Sequence, residues 1–176
     1  MEKAIFFDRD GTLIIDKIYL NDPDGIEYLP DAVEALQRLR DANFMFFVVT
    51  NQSGVARGIV SIENLEEIHH RMRQFFAAHG IAFSGFYYAP YSVESNHFMR
   101  KPNPGMILTA AEEHGIDLQK SWIIGDRTSD VEAGRRAGLR TVLLNGVESE
   151  ESRALCGADA RVGDLLSAAQ FILKNS

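Results

Sequence analysis

The sequence has almost no cysteine and no long hydrophobic run. Cys156 is the only cysteine among 176 residues, so the chain can form neither an intrachain disulfide nor a zinc site with several cysteines. The longest uninterrupted apolar segment, residues 44–49, is much shorter than the ~20 residues that a membrane-spanning helix needs. The first four residues lead directly into a strand-like segment. We therefore expect no membrane span, no secretory signal and a reducing, cytoplasmic location.

The sequence also lacks an excess of positive charge. It contains 18 Lys and Arg residues against 25 Asp and Glu residues, which gives a formal net charge of -7. Proteins that coat nucleic acids usually carry a basic balance, so we expect no nucleic-acid partner. A small anionic ligand is compatible with this composition, because a few Arg and Lys side chains at one cleft create a positive potential whatever the total charge.

Length and hydrophobic pattern predict a single α/β domain over residues 1–176. Short apolar runs alternate with amphipathic stretches, which is typical of a doubly wound, Rossmann-like parallel sheet in three α/β/α layers. Most runs are continuously apolar, as in strands buried on both faces. The predicted strands are residues 4–8, 44–50, 86–89, 121–125 and 140–144, with a weaker one at 160–162.

Helical periodicity fills the segments between these strands. One predicted helix is capped by Asp31, and a longer one runs from a Ser61 cap to a stop at Gly80. Others are expected over about residues 104–114, 129–137 and 163–174.

Polar residues follow the predicted strands at one edge of the sheet. Asp8 and Asp10 come at the end of the first strand, Thr50 ends the second, and Asp126 follows the fourth. Ligands of open parallel sheets bind outside the carboxyl ends of the strands, so these side chains should meet. A single Asp after a strand is usually a turn residue or a helix cap. Two carboxylates at i and i+2 repel one another unless a cation joins them, so the pair predicts a cation site.

The order of these motifs resembles the haloacid dehalogenase superfamily, most of whose members are phosphatases. The shared residues are Asp8, Asp10, Thr50, Lys101, Asp126 and Asp130. More narrowly, the segments DRDGT, TNQSGVARG, RKPNPGM and IGD resemble the D-glycero-D-manno-heptose-1,7-bisphosphate phosphatase subfamily. Histidinol-phosphate phosphatases and polynucleotide 3'-phosphatases share parts of the pattern. The resemblance covers about residues 4–144. The connection over residues 14–29 is short for the cap domain of this superfamily, whose members without a folded cap usually have an open cleft or act on large substrates. The resemblance therefore implies a minimal cap, with residues 17–21 as the only lid.

This resemblance implies a Mg²⁺-dependent phosphomonoester hydrolase that works through an aspartyl phosphate. Asp8 would be the nucleophile, and Asp10 would act first as general acid and then as general base. The carboxylates of Asp8 and Asp126 and the backbone carbonyl of Asp10 would bind Mg²⁺. Thr50 and Lys101 complete the predicted catalytic set, holding the phosphoryl oxygens. Asp130 would lie beside the metal ligands or cap the following helix.

The remaining motif residues are predicted to bind the substrate. Cations in excess of those needed for one phosphate indicate a second phosphate, for which Arg100 is the first candidate because its fork binds phosphate bidentately. Arg57 is equally compatible with an exposed loop position. The predicted substrate contacts are Arg9, Asn51, Gln52, Ser53, Arg57 and Arg100. We predict a monomeric enzyme that cleaves a heptose 1,7-bisphosphate at C7, with histidinol phosphate or another small phosphometabolite as the alternative substrate.

The chain departs from the resembled subfamily just before Arg100. Typical members carry a zinc loop of three Cys and one His that opens with Tyr-Tyr-Cys-Pro-x-His. Residues 87–91 here read YYAPY, and His97 is the only good ligand in the segment. One His cannot hold a structural zinc, so we expect none. His69 and His70 cannot share a metal either, because neighbours on a helix diverge by about 100°.

Two other functional classes share parts of this pattern. A receiver-type signalling module also combines an acidic pocket, Mg²⁺, Thr and Lys, but its phosphorylated Asp ends an interior strand, where this chain has Thr50. A catalytically inactive phosphate-binding domain is the second alternative. Turnover of p-nitrophenyl phosphate distinguishes an enzyme from both.

Overall fold

A six-stranded parallel sheet forms the centre of the protein in the computed structural model, which describes all residues from 1 to 176. The strands are β1 (Ala4–Phe7), β2 (Met45–Asn51), β3 (Phe83–Ala89), β4 (Trp122–Gly125), β5 (Arg140–Leu143) and β6 (Ala160–Arg161). Their order is β3-β2-β1-β4-β5-β6, and every neighbouring pair is parallel. The chain winds outward from β1 in both directions, which confirms the predicted doubly wound topology.

Six α-helices lie between the strands, and a seventh follows β6. They are α1 (Ala32–Asp41), α2 (Ser53–Ala56), α3 (Ile62–Ala78), α4 (Gly105–His114), α5 (Thr128–Ala137), α6 (Glu150–Leu155) and α7 (Leu165–Lys174). The pattern does not predict α2 and α6, because helices of four and six residues are too short to show an amphipathic period. The pattern also predicts that β3 begins at residue 86, whereas the strand begins at Phe83. The prediction is late because Ser84 and Gly85 interrupt the apolar run.

The side chains of β1 alternate between two hydrophobic cores. Ile5 and Phe7 pack into the core that contains buried residues of α1, α3 and α7, whereas Ala4 and Phe6 pack into the core that contains buried residues of α4 and α5. The first cluster has 25 buried residues and the second has 13, so the first side carries most of the apolar burial. Helices on both faces give the predicted three-layer arrangement.

The two predicted helix caps have different outcomes. The Ser61 hydroxyl accepts a hydrogen bond from the Asn64 amide at 3.1 Å, so the cap of α3 is confirmed. The Asp31 cap of α1 is wrong, although the helix begins at the next residue. Asp31 has helical backbone angles, φ -93° and ψ -3°, and its carboxylate instead accepts from the Leu166 amide at the start of α7. An N-cap side chain usually needs an extended backbone to reach its own helix.

The connection between β1 and α1 contains no folded cap. Its only regular element is a 3₁₀ turn at Pro23–Gly25, and isolated bridges join Ile14 to Asp10 and to Tyr28. The carboxyl ends of the central strands are therefore covered on this side only by a short segment. None of the helices has the length and apolar character needed to cross a membrane.

Candidate active site

The carboxyl ends of β1, β2 and β4 bring the predicted motifs together at one edge of the sheet. Asp8 follows β1, Thr50 and Asn51 end β2, and Asp126 follows β4. Since β1 lies between β2 and β4, its end is the centre of this edge. A cleft of about 520 Å³ opens there. The predicted site residues that line it are Asp8, Asp10, Asn51, Ser53, Arg100 and Lys101.

Three buried carboxylates cluster beside this cleft. Asp8, Asp126 and Asp130 offer oxygen atoms that all lie within 4.8 Å of one another. Burial raises the pKa of Asp126, and the charges of Asp8 and Asp130 raise it further. Burial and the charge of Asp8 also raise the pKa of Asp130. One oxygen of Asp126, Oδ1, is buried without a hydrogen-bond partner. Hard oxygen donors that repel one another and leave one atom unpaired fit a divalent cation such as Mg²⁺.

Two glycines make room for this cluster. Gly11 has a positive φ of 80°, and a Cβ atom there would collide with the carboxylate of Asp126. A Cβ atom at Gly125 would collide in the same way with the carboxylate of Asp130. The close approach of backbone and carboxylate at both positions excludes any side chain. The glycines of the DRDGT and IGD segments thus serve the geometry of the acidic cluster.

Lys101 is buried against the acidic cluster. Its Nζ donates to Oδ1 of Asp8 at 2.9 Å, to Oδ1 of Asp130 at 2.6 Å and to the carbonyl oxygen of Val49 at 2.7 Å. These contacts use all three donors of the ammonium group. Burial lowers the pKa of Lys101, but Asp130 and Asp8 raise it by more, so the net shift is upward. A charged ammonium group therefore lies directly beside Asp8.

Asp10 is held by side chains behind the cleft. Arg9 donates to both carboxylate oxygens, from Nε to Oδ2 at 3.0 Å and from Nη2 to Oδ1 at 3.1 Å. Gln52 donates to Oδ2 at 3.0 Å. Burial raises the pKa of Asp10, Arg9 opposes this shift, and Asp8 adds to it, with a raised pKa as the net result. A carboxyl group with a raised pKa, partly exposed to the cleft, is suited to proton transfer.

The structure does not support the predicted substrate contacts of Arg9 and Gln52. Arg9 is only 1% exposed, Gln52 is buried, and neither lines the cleft. Their polar atoms are used inside the protein, since Gln52 also donates to the hydroxyl of Thr50 at 2.8 Å and accepts from Arg9 at 3.2 Å. Both residues are better described as supports of Asp10 and Thr50, because an internal hydrogen-bond network leaves them no free face toward a ligand.

Asn51 fixes the backbone of Lys101. Its side-chain amide donates to the Lys101 carbonyl, and its side-chain oxygen accepts from the Lys101 amide, both at 2.9 Å. This reciprocal pair joins the end of β2 to the loop that precedes α4. Ser53 at the start of α2 lines the cleft on the same side. The TNQS segment therefore contributes Asn51 and Ser53 to the lining of the cleft.

Two of the predicted arginines occupy different environments. Arg100 lines the cleft, and its Nη1 is buried without a hydrogen-bond partner. Burial lowers the pKa of this guanidinium, which Glu94 partly offsets. Arg57 is exposed, donates to the hydroxyl of Tyr19 at 2.8 Å and does not line the cleft. Arg100 lines the cleft and has a guanidinium nitrogen without a partner, so it is the stronger candidate for a contact with an anion.

Several residues that the motifs do not identify also belong to the site. Asp16 and Arg127 line the cleft and form an ion pair of 3.4 Å across it. Glu148 lines it too, and accepts hydrogen bonds from the Thr128 amide and hydroxyl at 2.7 and 3.1 Å. Asp130 fulfils both alternatives considered for it, since it joins the acidic cluster and accepts from the Arg127 amide at 3.1 Å. Asp130 is among the shared motif residues, whereas no motif signals Asp16 or Glu148.

The loop before Arg100 is folded by aromatic packing. The rings of Tyr91 and His97 stack with centroids 3.5 Å apart. Nδ1 of His97 accepts from the Met99 amide at 3.1 Å, and the side chain of Asn103 donates to the His97 carbonyl at 3.1 Å. These contacts use the Nδ1 atom and the backbone carbonyl of His97, the one good metal ligand of this segment.

Sequence families match both halves of the chain. The haloacid dehalogenase-like hydrolases match residues 5–81, and a HAD-hydrolase-like family matches residues 98–168. The D-glycero-beta-D-manno-heptose-1,7-bisphosphate 7-phosphatase of Pasteurella multocida is 38% identical over 150 residues, covering 82% of this chain and 82% of that protein. The protein of the same description from Helicobacter pylori strain 26695 is 36% identical over 143 residues, covering 81% and 83%.

Solved structures show the same similarity. The D,D-heptose 1,7-bisphosphate phosphatase from B. bronchiseptica, complexed with magnesium and phosphate, has a TM-score of 0.87 and 30% identity, with 99% of each chain covered. The D,D-heptose 1,7-bisphosphate phosphatase from Burkholderia thailandensis has a TM-score of 0.71 and 28% identity, with 98% of this chain and 99% of that chain covered.

Proposed function

The chain belongs to the haloacid dehalogenase-like hydrolases and is a phosphatase, and we propose on this premise that it removes the C7 phosphate of a D-glycero-D-manno-heptose 1,7-bisphosphate. One observation carries the proposal. A buried carboxylate, Asp8, follows the central strand beside a charged Lys101, and Arg100, whose guanidinium group has a nitrogen without a hydrogen-bond partner, lines the same cleft. The pair of Asp8 and Lys101 suits phosphoryl transfer, and Arg100 suits the binding of another phosphate.

Asp8 is the proposed nucleophile. It attacks phosphorus, the bond to the sugar oxygen breaks, and the phosphoryl group moves to the carboxylate as an aspartyl phosphate. Water then attacks this intermediate, which releases inorganic phosphate and restores Asp8. Covalent catalysis of this kind divides one difficult displacement into two easier ones. The position of Asp8 at the end of β1, only 7% exposed and lining the cleft, supports this assignment.

Asp10 is the proposed proton donor and acceptor. In the first half-reaction it protonates the leaving sugar oxygen, and in the second it takes a proton from the attacking water. The raised pKa of this carboxyl supports the first role. Its hydrogen bonds with Arg9 support the second, because they stabilise the ionised form to which the group must return.

We propose Mg²⁺ as the cofactor. The carboxylates of Asp8 and Asp126 would hold it together with the backbone carbonyl of Asp10, and Asp130 lies within the same cluster. Bound there, Mg²⁺ would neutralise the clustered carboxylates and polarise the phosphoryl group. The unpaired Oδ1 of Asp126 and the raised pKa values of Asp126 and Asp130 support this choice, since each indicates missing positive charge.

The phosphoryl oxygens have three proposed contacts within the chain. Lys101 supplies a full positive charge, the Thr50 hydroxyl a hydrogen bond, and the Asn51 backbone amide a further donor. Negative charge spreads over these oxygens in the transition state of phosphoryl transfer, so fixed donors there lower its free energy. The reciprocal hydrogen bonds between Asn51 and Lys101 fix the positions of these two residues relative to each other.

Arg100 is the proposed anchor for the phosphate that does not react. Binding energy from a remote group positions the reacting bond without changing its chemistry. Tyr19 and Ile18 of the segment between β1 and α1 line the opposite part of the cleft and would cover the sugar. We further propose a single domain over residues 1–176, since all six strands belong to one sheet, and a monomeric, cytoplasmic enzyme.

Phosphate release from four esters tests this proposal. The substrates are the heptose 1,7-bisphosphate, the heptose 1-phosphate, the heptose 7-phosphate and histidinol phosphate, each with Mg²⁺. We expect the highest kcat/KM for the bisphosphate, with the heptose 1-phosphate as product. Faster turnover of histidinol phosphate would contradict the proposed substrate and favour the alternative. No turnover of any ester, including p-nitrophenyl phosphate, would contradict an enzymatic function altogether.

A further inference from the structure

A buried histidine contacts the guanidinium group that holds Asp10. His69 lies on α3, is 6% exposed and does not line the cleft. Its Nε2 lies 3.2 Å from Nη1 of Arg9. The rings of Phe86 and Tyr88 on β3 flank the imidazole, with centroids 5.1 and 5.9 Å away. The imidazole therefore packs against β3, with Nε2 directed at Arg9.

The chemistry of the pair determines which atom carries the proton. A guanidinium group has only donors, so Nε2 of His69 must accept the hydrogen bond and the ring proton must reside on Nδ1. Burial lowers the pKa of His69 to about 3, and the charges of Arg9 and Arg73 contribute to this shift. The imidazole therefore stays neutral, with its acceptor available, throughout the physiological pH range.

Arg9 is bound at both ends of its fork. Nε and Nη2 hold the two oxygens of Asp10, and Nη2 also donates to Gln52. Nη1 is the one nitrogen of Arg9 that is directed away from Asp10, and it meets His69. A planar guanidinium group cannot rotate when both ends are bound, so the plane of Arg9 fixes the plane of the Asp10 carboxylate.

We propose that His69 is a positioning residue for proton transfer: by accepting from Nη1 of Arg9 it fixes the guanidinium plane, and through it the direction in which Asp10 faces the leaving alcohol. This inference rests on the proposed role of Asp10 as the general acid. A shift of the carboxylate by a fraction of an ångström would leave substrate binding intact and slow protonation of the leaving group, because proton transfer needs hydrogen-bond geometry.

The test compares two leaving groups. The kcat/KM value covers the steps up to release of the first product, and in these steps a sugar alkoxide needs a proton whereas p-nitrophenolate does not. His69→Leu removes the acceptor, and His69→Gln retains one. The exposed neighbour on the same helix provides the matched control His70→Leu. Each variant is assayed on the heptose bisphosphate and on p-nitrophenyl phosphate, with thermal unfolding as a check of the fold.

We expect His69→Leu to lower kcat/KM for the sugar ester at least about tenfold, through kcat rather than KM, since general acid catalysis contributes about 10²- to 10⁴-fold. The kcat/KM value for p-nitrophenyl phosphate should change less than about threefold, because it covers only the steps up to release of p-nitrophenolate. His69→Gln should recover most of the loss, and His70→Leu should behave as wild type. Adding His69→Leu to Arg9→Lys should cause no further loss, because both changes break the same connection.

Equal losses on both esters, or no loss on the sugar ester, would overturn the inference. If His69→Leu does not fold, His69→Phe replaces it, because a phenyl ring fills a similar volume without an acceptor and gives the same expected result. The inference and the proposed substrate fail separately. If the wild type hydrolyses another alkyl phosphate and not the heptose bisphosphate, the substrate assignment is contradicted, and the same comparison on that alkyl phosphate still decides the role of His69.

Discussion

Nζ of Lys101 lies 2.9 Å from Oδ1 of Asp8, although 93 residues separate the two in the chain. Both side chains are buried, so the pair interacts at lower effective dielectric than a surface ion pair would. The ammonium group pairs with the proposed nucleophile and would at the same time present positive charge to the incoming phosphoryl group. Removing either partner of a buried pair leaves an uncompensated charge, so these two residues support folding as well as catalysis.

Arg100→Ala should weaken catalysis on the bisphosphate more than on monophosphates. The loss of one charged hydrogen bond to the remote phosphate predicts a decrease in kcat/KM of about 2 kcal/mol, roughly 30-fold. Small monophosphates lack the second phosphate and should change much less. Steady-state kinetics on both substrate types measures the difference. Arg38→Ala is the matched control, because Arg38 is exposed on α1, pairs with Glu34 and does not line the cleft. Equal losses on both substrate types would contradict the assignment of Arg100.

Mg²⁺ should both activate and stabilise the protein. A cation bound only to the folded state at one hundred times its Kd adds about 2.7 kcal/mol to the free energy of unfolding. We expect EDTA to abolish activity and lower the melting temperature, and Mg²⁺ alone to restore both. Asp126→Asn should remove most of the shift, whereas Asp16→Asn, which lies outside the acidic cluster, should retain it. Elemental analysis should find no stoichiometric zinc, and tightly held zinc at one per chain would contradict our interpretation of the loop around His97.

His69 should make stability fall at acid pH. Its pKa is about 3 in the folded protein and about 6.5 in an unfolded chain, so the unfolded state binds more protons between these values. The associated stability is present above pH 6.5 and is lost as the pH falls toward 3. Relative to His69→Gln, the wild type should lose about 2 kcal/mol of unfolding free energy between pH 7 and pH 5. Denaturant unfolding at both pH values measures this, and a difference that does not change with pH would contradict a buried neutral imidazole.

The rule that ligands bind at the carboxyl ends of parallel strands explains how much of the site can be predicted from the sequence. It predicts the meeting of Asp8, Thr50 and Asp126, because each directly follows or ends an apolar run. The motifs add Lys101, although its contact with Asp8 depends on the Asn51 bonds, which no pattern near Lys101 reveals. Elements long enough to show a period are predicted, whereas the short helices α2 and α6 are not.

Side-chain direction is the main property that the sequence does not reveal. Arg9 lies between the two proposed catalytic aspartates, and a cation there suggests a contact with an anionic substrate. In the structure it points inward, because Asp10, Gln52 and His69 together satisfy its donors. His69 itself gives no signal, since one polar position on the buried face of a helix resembles a packed core residue. The side-chain direction of Asp31 is likewise not predictable from the sequence, because its carboxylate accepts from the amide of Leu166, which is distant in the chain.

Detection of phosphoryl-Asp8 tests the covalent mechanism most directly. The experiment uses the Asp10→Asn variant with p-nitrophenyl phosphate. Its good leaving group needs no acid, so the first half-reaction should proceed. Hydrolysis of the intermediate lacks its base, so the aspartyl phosphate should accumulate. Acid quenching within the first turnover, followed by peptide mass spectrometry, should find the phosphoryl group on Asp8. The double variant with Asp8→Asn should show none. An unmodified Asp8 together with a stoichiometric burst of p-nitrophenolate, or a phosphoryl group on another residue, would contradict the account.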